Sequence, residues 1–312
     1  LKVTAPTARW FDVYREGMAT PSRSHSIDLV RDFHAVGDGT TLNTAAFKAA
    51  IAAAAAWNRL NDNRGVEIVV PASNSKDIYL AAPFNLTSHL TLTIAAGVVL
   101  KASDDPRLWP VVPPLKNYGQ GRDHPGPRRC PFLGGTDLED VVLRGTGGGR
   151  IDGSGESWWA RHKSGNETYT RGRLVEFLYS DGLLMEDLTL VNSPFWTIHP
   201  TFCSNVVVRR LVILNPNDSP NTDGFDPDST TNVSLTDSYF DVGDDGVAIK
   251  SGWDCFGIDV HRPTENVHIR NLTVNSPCCA GVCIGSEMSG GVANVLVEDI
   301  KLLDVGQGLR IK

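Results

Sequence analysis

The chain lacks any long apolar run and any excess of basic residues. No stretch of about 18 or more apolar residues occurs, so we expect no membrane-spanning helix. The 29 lysines and arginines are outnumbered by 36 aspartates and glutamates, which gives a net charge of -7. Because phosphate binding requires a basic face, this balance argues against nucleic acid as a partner. It also means that an acidic polymer would have to be held by local cations.

The sequence also lacks an initiator methionine and a signal peptide, since it begins at Leu1. This start indicates a processed or trimmed chain. Acceptor sequences for N-glycosylation (Asn-X-Ser/Thr) begin at Asn85, Asn166, Asn232 and Asn271. Each could occur by chance, but together they favour a glycosylated, secreted protein.

Paired Cys-X-X-Cys motifs are absent. The chain has six cysteines: Cys130, Cys203, Cys255, Cys278, Cys279 and Cys283. In a secreted protein they permit disulfides, although the sequence does not give their connectivity. A zinc site is the alternative interpretation, but the spacing of the last three cysteines does not support one. We therefore expect no metal and no cofactor.

A repeated strand pattern is the most informative feature that is present. A polar residue is followed by alternating β-branched or aliphatic positions in segments that begin at Asp140, Asp181, Asn205, Asn232, Asn266 and Asn294. The last four starts lie 27, 34 and 28 residues apart. Such short segments with a period of roughly 22–30 residues are typical of stacked β coils. The leading Asn or Asp would occupy a turn, because both tolerate left-handed backbone.

A β-sandwich is the alternative fold. Its strands usually recur every 8–12 residues or so, whereas the ladder here is longer. Variation in the period is expected if loops grow from one face of the coil, and residues 251–264 would form such a loop. The sequence therefore predicts an all-β solenoid.

The two ends of the chain differ from the repeat. Asn43 is predicted to cap an alanine-rich helix over residues 44–60, and a helix laid across the open end of a solenoid is a common cap. The chain stops at Lys312, inside a strand pattern, with no capping element after it. We predict a single β-helix domain over residues 1–312, with an N-terminal cap at about 1–65 and an incomplete C-terminal end.

Clustered aspartates form the densest functional signal. Asp223 and Asp244 lie 21 residues apart, about one coil, so their side chains are predicted to project from neighbouring strands roughly 5 Å apart. Asp245 lies beside Asp244. Two charges at that distance repel by roughly 3 kcal/mol at an effective dielectric constant of about 20, which favours keeping one proton on the cluster. Glycoside hydrolysis requires one protonated and one ionised carboxyl.

Calcium binding and turn capping are the alternatives for these acids. Asp223, Asp226 and Asp228 alternate like the ligands of a calcium loop, although the EF-hand pattern is not matched. On the residues alone, calcium, turns and catalysis all stay open.

Three motifs carry a resemblance to a known family. Asn221–Asp223 (Asn-Thr-Asp), Asp244–Asp245 and Arg310–Lys312 (Arg-Ile-Lys) stand in the order of three of the four signature motifs of the polygalacturonase family of glycoside hydrolases. The resemblance extends over about residues 31–312 and includes segments 32–44, 151–155 and 192–196.

The resemblance implies a right-handed parallel β-helix that hydrolyses α-1,4-galacturonosyl linkages of pectin (polygalacturonate) with inversion. Asp244 would be the general acid, and Asp223 and Asp245 would activate the water. The enzyme would be a secreted, cell-wall monomer without a cofactor. Segment 285–291 resembles that of exo-acting members.

The resemblance also implies substrate contacts. Arg310 and Lys312 would bind a substrate carboxylate, for which the planar guanidinium and the ammonium are both suited. Asn221 would orient the site by hydrogen bonding. Lys250 is a further candidate for substrate contact.

One departure affects the choice of substrate. The fourth family motif is Gly-His-Gly, and Cys279 stands where its histidine would be; none of His199, His261 and His268 is placed to replace it. The alternatives are therefore a hydrolase of a substituted pectin (rhamnogalacturonan or xylogalacturonan), a non-catalytic pectin-binding β-helix, and a calcium-dependent enzyme resembling pectate lyase.

Overall fold

The structure, a computed structural model, describes residues 18–73 and 76–312. The chain winds as a right-handed parallel β-helix, in which successive coils add strands to three parallel sheets. The predicted β-solenoid is confirmed, and the β-sandwich alternative is wrong.

The first two sheets share their last three strands. The first sheet contains β1 (His25–Asp28), β3 (Val66–Val70), β6 (Leu90–Ile94), β11 (Glu139–Gly145), β14 (Asp181–Glu186) and β17 (Ser204–Arg209). The second contains β2 (Asp38–Leu42), β4 (Ile78–Ala81), β7 (Val99–Ala102), β12 (Arg150–Asp152), β15 (Thr189–Val191) and β18 (Val212–Leu214). Long strands then bend from one sheet into the next: β19 (Thr231–Asp241), β21 (Thr264–Ile284) and β22 (Val292–Ile311).

The third sheet is built from shorter strands. It contains β5 (Phe84–Asn85), β10 (Leu133–Thr136), β13 (Val175–Leu178), β16 (Ile198–Thr201), β20 (Val247–Ile249) and the ends of β21 and β22. Between β16 and β20, the isolated bridges of Phe225 and Asp228 complete the ladder. This sheet carries the candidate site.

The six predicted repeats all lie in the first sheet. They pair in register, so that one interior column of buried side chains runs through it: Val66, Leu90, Val141, Leu183, Val206, Val233 and Val267. Full burial of each such side chain contributes about 1.5–3 kcal/mol relative to exposure. The column is the reason why the repeat is visible in the sequence.

The polar residue that leads each repeat lies at a corner with left-handed backbone. The φ angle is positive at Asp140, Asn205, Asn232, Asn266 and Asn294. The second repeat differs, because Gly182 has the positive φ and Asp181 pairs with Ser204. The predicted turn is therefore confirmed at five repeats and displaced by one residue at the other.

Helix α2 (Thr44–Leu60) covers the N-terminal end of the coil, as predicted, after the short α1 (Leu29–Phe33). Phe47 is fully buried and stacks on Phe84 with ring centroids 4.6 Å apart. Asn43 is the N-cap residue, as predicted, but its side chain makes no capping hydrogen bond. Its amide instead bonds to Val36 and Thr41, because the incoming chain folds back over it.

Three excursions interrupt the coils. Helices α3 (Gly155–Lys163) and α4 (Asp254–Val260) occupy two of them, so the predicted loop at 251–264 contains a short helix. The third contains a 3-10 turn (Pro106–Leu108) and an antiparallel pair, β8 (Val111–Val112) and β9 (Arg128–Arg129). In the described part of the chain, no helix has the length and apolarity needed to cross a membrane.

Residues 112–131, called the strap below, lie against the outer face of the third sheet. Leu115 and Tyr118 pack on Phe195 and Trp196, and the Tyr118 hydroxyl donates to Asp228 at 2.8 Å. These contacts fix the strap over the coils that carry the aspartates.

Candidate active site

The predicted aspartates meet on the outer face of the third sheet. The Gly224 amide donates to the Asp245 carbonyl at 3.0 Å, and Phe225 bridges Val247. Asp223 therefore stacks on Asp245, not on Asp244, so one coil here is 22 residues rather than the predicted 21. Asp244 lies beside this stack, and the expected cluster forms.

Glycines follow the acids because the coils approach closely there. A Cβ added to Gly224 would lie 2.5 Å from the Gly246 carbonyl oxygen, and one added to Gly246 would lie 2.5 Å from that of Gly281. No side chain fits at these distances. Each Asp-Gly pair thus allows the strand segment of the third sheet to begin immediately after the acid.

The three acids differ in exposure. Asp223 and Asp245 are 3% and 1% exposed, whereas Asp244 is only partly buried. They line a cavity of about 120 Å³ together with Arg122, Asp123, Phe195, Trp196, Asn221, Lys250, Ser286, Glu287 and Lys312. Asp244 is therefore the acid that a bulky substrate reaches first.

Burial sets the protonation of the cluster. It raises the pKa of Asp223 well above its ordinary value, and the nearby carboxylates of Asp226 and Asp244 raise it further. Burial likewise raises the pKa of Asp226 to about 6, although Lys250 and His199 oppose the rise. Both shifts favour the protonated carboxyl, and the shift of Asp223 does so more strongly, whereas the expected shared proton itself stays a prediction.

Lys250 is the buried counter-ion of these acids. Its Nζ lies 3.0 Å from Glu287, 3.4 Å from Asp226 and 3.8 Å from Asp223. Burial would lower the pKa of Lys250, but the three carboxylates outweigh it and raise the pKa. Lys250 is 2% exposed, so these contacts assign it to charge balance below the acids. Its predicted contact with substrate stays a prediction.

Asn221 links Asp244 to a buried ion pair. Its Oδ1 accepts from Arg171 at 2.8 Å, and its Nδ2 faces Asp244 at 3.5 Å. Arg171 is ion-paired with Asp123 of the strap at 2.9 Å. The predicted orienting role of Asn221 is consistent with this chain of contacts.

The two predicted cations have different surroundings. Lys312 is ion-paired with Asp245, and although burial opposes the effect, this bond raises the pKa of Lys312. The Arg310 side chain is exposed, lies outside the cavity lining, and has no hydrogen bond or ion pair with any residue in 18–73 or 76–312. A carboxylate could therefore bind Arg310 without displacing a protein partner.

Cys279 lies beside the acids. Its Sγ and one carboxylate oxygen each of Asp244 and Asp245 lie within 4.8 Å of one another. Burial raises the pKa of this thiol strongly, and Cys278 and Asp244 add to the rise. All six cysteines are free thiols.

The acids of the suggested calcium loop have separate partners. Asp228 accepts from Tyr118 and Asn117 and contacts His199 at 3.1 Å, whereas Asp226 faces Lys250. A calcium site of alternating ligands is not formed by Asp223, Asp226 and Asp228 in the described chain. His199 is fully buried in this network rather than in the cavity.

The contribution of the strap was missed from the sequence. Arg122 is ion-paired with Glu287 at 2.5 Å, and its guanidinium lies over the Trp253 ring. Asp123 holds Arg171 from the same segment. The charged residues within 112–131 follow no strand or helix period. Only the sign of each charge could have suggested that it pairs with an oppositely charged residue elsewhere in the chain.

The fold and the site together define a class of protein: a parallel β-helix that carries a cluster of carboxyl groups on the outer face of one sheet. Residues 66–312 match the family model described as "Glycosyl hydrolases family 28". The chain belongs to this family, which confirms the resemblance given by the motifs.

The relatives have polygalacturonase names. A Vitis vinifera protein described as "Probable polygalacturonase" is 44% identical over 95% of this chain and 59% of its own length. An endo-polygalacturonase of Pectobacterium carotovorum subsp. carotovorum is 28% identical over 82% of this chain and 62% of its own. The chain thus spans about three fifths of the length of these relatives.

A solved structure shares the architecture. The hyperthermoactive exopolygalacturonase from Thermotoga maritima superposes with a TM-score of 0.82 at 28% identity, over 97% of this chain and 72% of that one.

Proposed function

We propose that this chain is the catalytic β-helix of a polygalacturonase, which hydrolyses α-1,4-galacturonosyl linkages of pectin. The observation that carries the proposal is the cavity in which Asp223, Asp244 and Asp245 meet, with Lys312 bound to one of them. The relatives' names support the substrate.

The geometry supports a division of roles among the acids. Asp244 is the most accessible of the three and would deliver the shared proton to the leaving oxygen. Asp223 and Asp245 would together orient the water, and Asp245, ion-paired with Lys312, would accept its proton. Because the carboxyls are coupled, the proton belongs to the cluster rather than to one residue.

The negative charge of the substrate would be recognised by two cations near the end of β22. The Arg310 side chain is exposed and makes no hydrogen bond or ion pair within residues 18–73 and 76–312, and Lys312 lies two positions further on, directly after the end of β22. A galacturonate carboxylate at Arg310 would find the local cation that the net charge of -7 does not supply.

An exo mode is favoured by the strap. Residues 112–116 line a second, larger cleft of about 340 Å³, whereas Arg122 and Asp123 line the aspartate cavity. Between the two, Leu115 and Tyr118 pack on Phe195 and Trp196. This packing would interrupt a continuous groove, so that a chain end rather than a chain middle reaches the acids.

Product analysis tests the function. On polygalacturonate, we expect short galacturonate products from the start and little early loss of viscosity. Rhamnogalacturonan and xylogalacturonan serve as comparison substrates, and preferred turnover of either would transfer the proposal to a substituted pectin. Ultraviolet-absorbing unsaturated products that disappear with a chelator would instead identify a calcium-dependent lyase. No turnover of any of these, with retained binding, would favour a pectin-binding β-helix.

Stereochemistry tests the mechanism separately. If water attacks opposite to the leaving oxygen, the freshly released sugar has the inverted anomeric configuration. Proton NMR during early turnover reads the anomer directly. A retained anomer would contradict the mechanism and would indicate a nucleophilic aspartate.

Secretion is also proposed, and two of the four acceptor asparagines favour it. Asn85 and Asn166 are exposed. Asn271 is exposed as well, but the amide nitrogens of Asn232 and Asn271 donate to Asn205 and Asp237 of the preceding coils, so a glycan there would break a hydrogen bond between coils, whereas that of Asn166 donates only to the nearby Ser164 hydroxyl. We expect glycans at the first two only, which peptide mapping of the secreted protein would show.

A further inference from the structure

A pair of thiols adjoins the catalytic acids. The Sγ atoms of Cys278 and Cys279 lie 3.0 Å apart, and the Cys279 Sγ lies within 4.8 Å of carboxylate oxygens of both Asp244 and Asp245. Cys278 is exposed and Cys279 is half-buried, so ions can reach them. Two sulfurs and two carboxylates therefore face one small region.

A second observation is a buried carboxyl oxygen without a partner in the adjoining cavity. The Oδ1 atom of Asp223 is buried and has no hydrogen-bond partner in the described chain, although Asp223 lines the cavity with Asp244 and Asp245. Lys312 is the only lysine or arginine in 18–73 and 76–312 that is ion-paired with Asp245. Asp223 faces Lys250 at 3.8 Å, but Asp244 is ion-paired with no lysine or arginine in the described residues, so its carboxylate is available to a further cation.

We propose that Cys279, Asp244 and Asp245 form a binding site for a thiophilic divalent cation of the Zn²⁺ or Cd²⁺ class, with Cys278 as a further donor. Mixed sulfur and oxygen donors suit these ions, whereas Ca²⁺ and Mg²⁺ prefer oxygen alone. Ligand bonds of about 2.0–2.3 Å require the three donor atoms to close up slightly from their present spacing.

Binding exchanges protons for the ion. The Cys279 thiol loses its proton to solvent as the sulfur–metal bond forms, because a coordinating thiol is deprotonated by the ion. Protons compete with the ion for this sulfur and for the two carboxylates, so binding is weaker at low pH. Binding should therefore tighten as the pH rises.

Occupation of the site would switch off hydrolysis. An ion on the Asp244 carboxylate excludes the proton that this residue would give to the leaving oxygen. The inhibition rests on the proposed function, whereas the binding itself does not, so the two are measured separately.

The binding experiment is calorimetric titration of the whole chain with Cd²⁺, in wild type, Cys279→Ala and Cys255→Ala. Cys255 is an exposed thiol on α4 and provides the matched control. We expect one ion per wild-type and Cys255→Ala chain. Loss of a direct ligand should weaken affinity at least about tenfold in Cys279→Ala, since even an outer partner of a metal ligand is worth roughly that factor. Equal affinity in all three proteins, or no binding to wild type, would overturn the site.

Turnover provides the second arm. Cd²⁺ should inhibit wild type and Cys255→Ala, a chelator should restore both, and Cys279→Ala should keep its turnover in the presence of the ion. Inhibition of Cys279→Ala at the same Cd²⁺ concentration would contradict the proposal. Cys279-dependent binding in a protein with no turnover on any pectin would leave the site intact and refute the proposed function.

Discussion

At the level of single residues, the surroundings of each carboxyl determine its charge. Asp223 and Asp226 are both buried near Lys250, yet burial outweighs this cation and raises the pKa of each. Glu287 is also buried, but Lys250 and Arg122 outweigh burial and lower its pKa. The sequence shows which residues are acids, but not how many cations each will meet, which explains why Asp226 was considered only as a calcium ligand and Glu287 was not considered.

Replacement of Asp226 by Asn tests the raised pKa. An acid that holds its proton more tightly in the folded state makes the fold lose stability as the pH rises from its unfolded pKa of 3.8 through its folded pKa of about 6. Asp226→Asn removes this loss. The difference in melting temperature, variant minus wild type, should therefore increase between about pH 4 and pH 7.

The matched control is Asp218→Asn, because Asp218 is highly exposed. Its difference in melting temperature should not change with pH in the same way. A pH-independent difference for Asp226→Asn would show that Asp226 is not protonated in the folded protein near pH 5.

Replacement of Lys312 by Ala tests charge recognition. A charge-assisted hydrogen bond contributes about 1.5–3 kcal/mol, so kcat/KM on free-acid oligogalacturonate should fall roughly tenfold or more relative to the methyl-esterified substrate. The losses of kcat/KM on the two substrates are compared because removal of the ion pair with Asp245 lowers turnover of both. Lys301→Ala, an exposed lysine on β22, is the control. Equal losses on both substrates would exclude carboxylate recognition by Lys312.

At the level of elements, the first sheet was predictable and the third was not. Strands of the first sheet combine a left-handed Asn or Asp with an alternating apolar column, as at Asn266 and Val267. In the third sheet, the strands that precede β21 are only two to four residues long. Their outward positions are occupied by residues such as Glu176 and His199 and follow no regular pattern. The strap was missed because its contacts are with distant residues.

The stacked asparagines give a prediction for the polar corner. Asn266 Nδ2 donates to Asn232 Oδ1 at 3.3 Å, and Asn266 accepts from Asn294 at 3.1 Å, with its own φ at 61°. Asn266→Ala loses these bonds and keeps a Cβ in left-handed backbone, a conformation that costs about 1–2 kcal/mol and that the polar side chain of asparagine helps to offset. Asn266→Gly loses only the bonds.

Urea denaturation distinguishes the two variants. The midpoint should fall for both variants and should fall further for Asn266→Ala. Equal midpoints would show that the left-handed backbone at this corner is not what selects asparagine.

At the level of the whole molecule, the winding places distant residues on one face. Asp223 and Lys312 are far apart in sequence, yet both line the same cavity because successive coils add strands to the third sheet. The sequence allowed the solenoid and the acid cluster to be predicted, since both depend on a period. It did not give the position of Lys312 against Asp245, because that contact depends on the register of two long strands.

The central claim is that this face hydrolyses pectin with Asp244 as the acid, and Asp244→Asn tests it most directly. The change keeps the size of the side chain and removes the proton donor, so turnover of polygalacturonate should fall by about 100-fold or more while binding of oligogalacturonate is retained. Asp259→Asn, an exposed aspartate on α4, should behave like wild type. Turnover by Asp244→Asn within tenfold of wild type, in a protein that melts normally, would contradict the account.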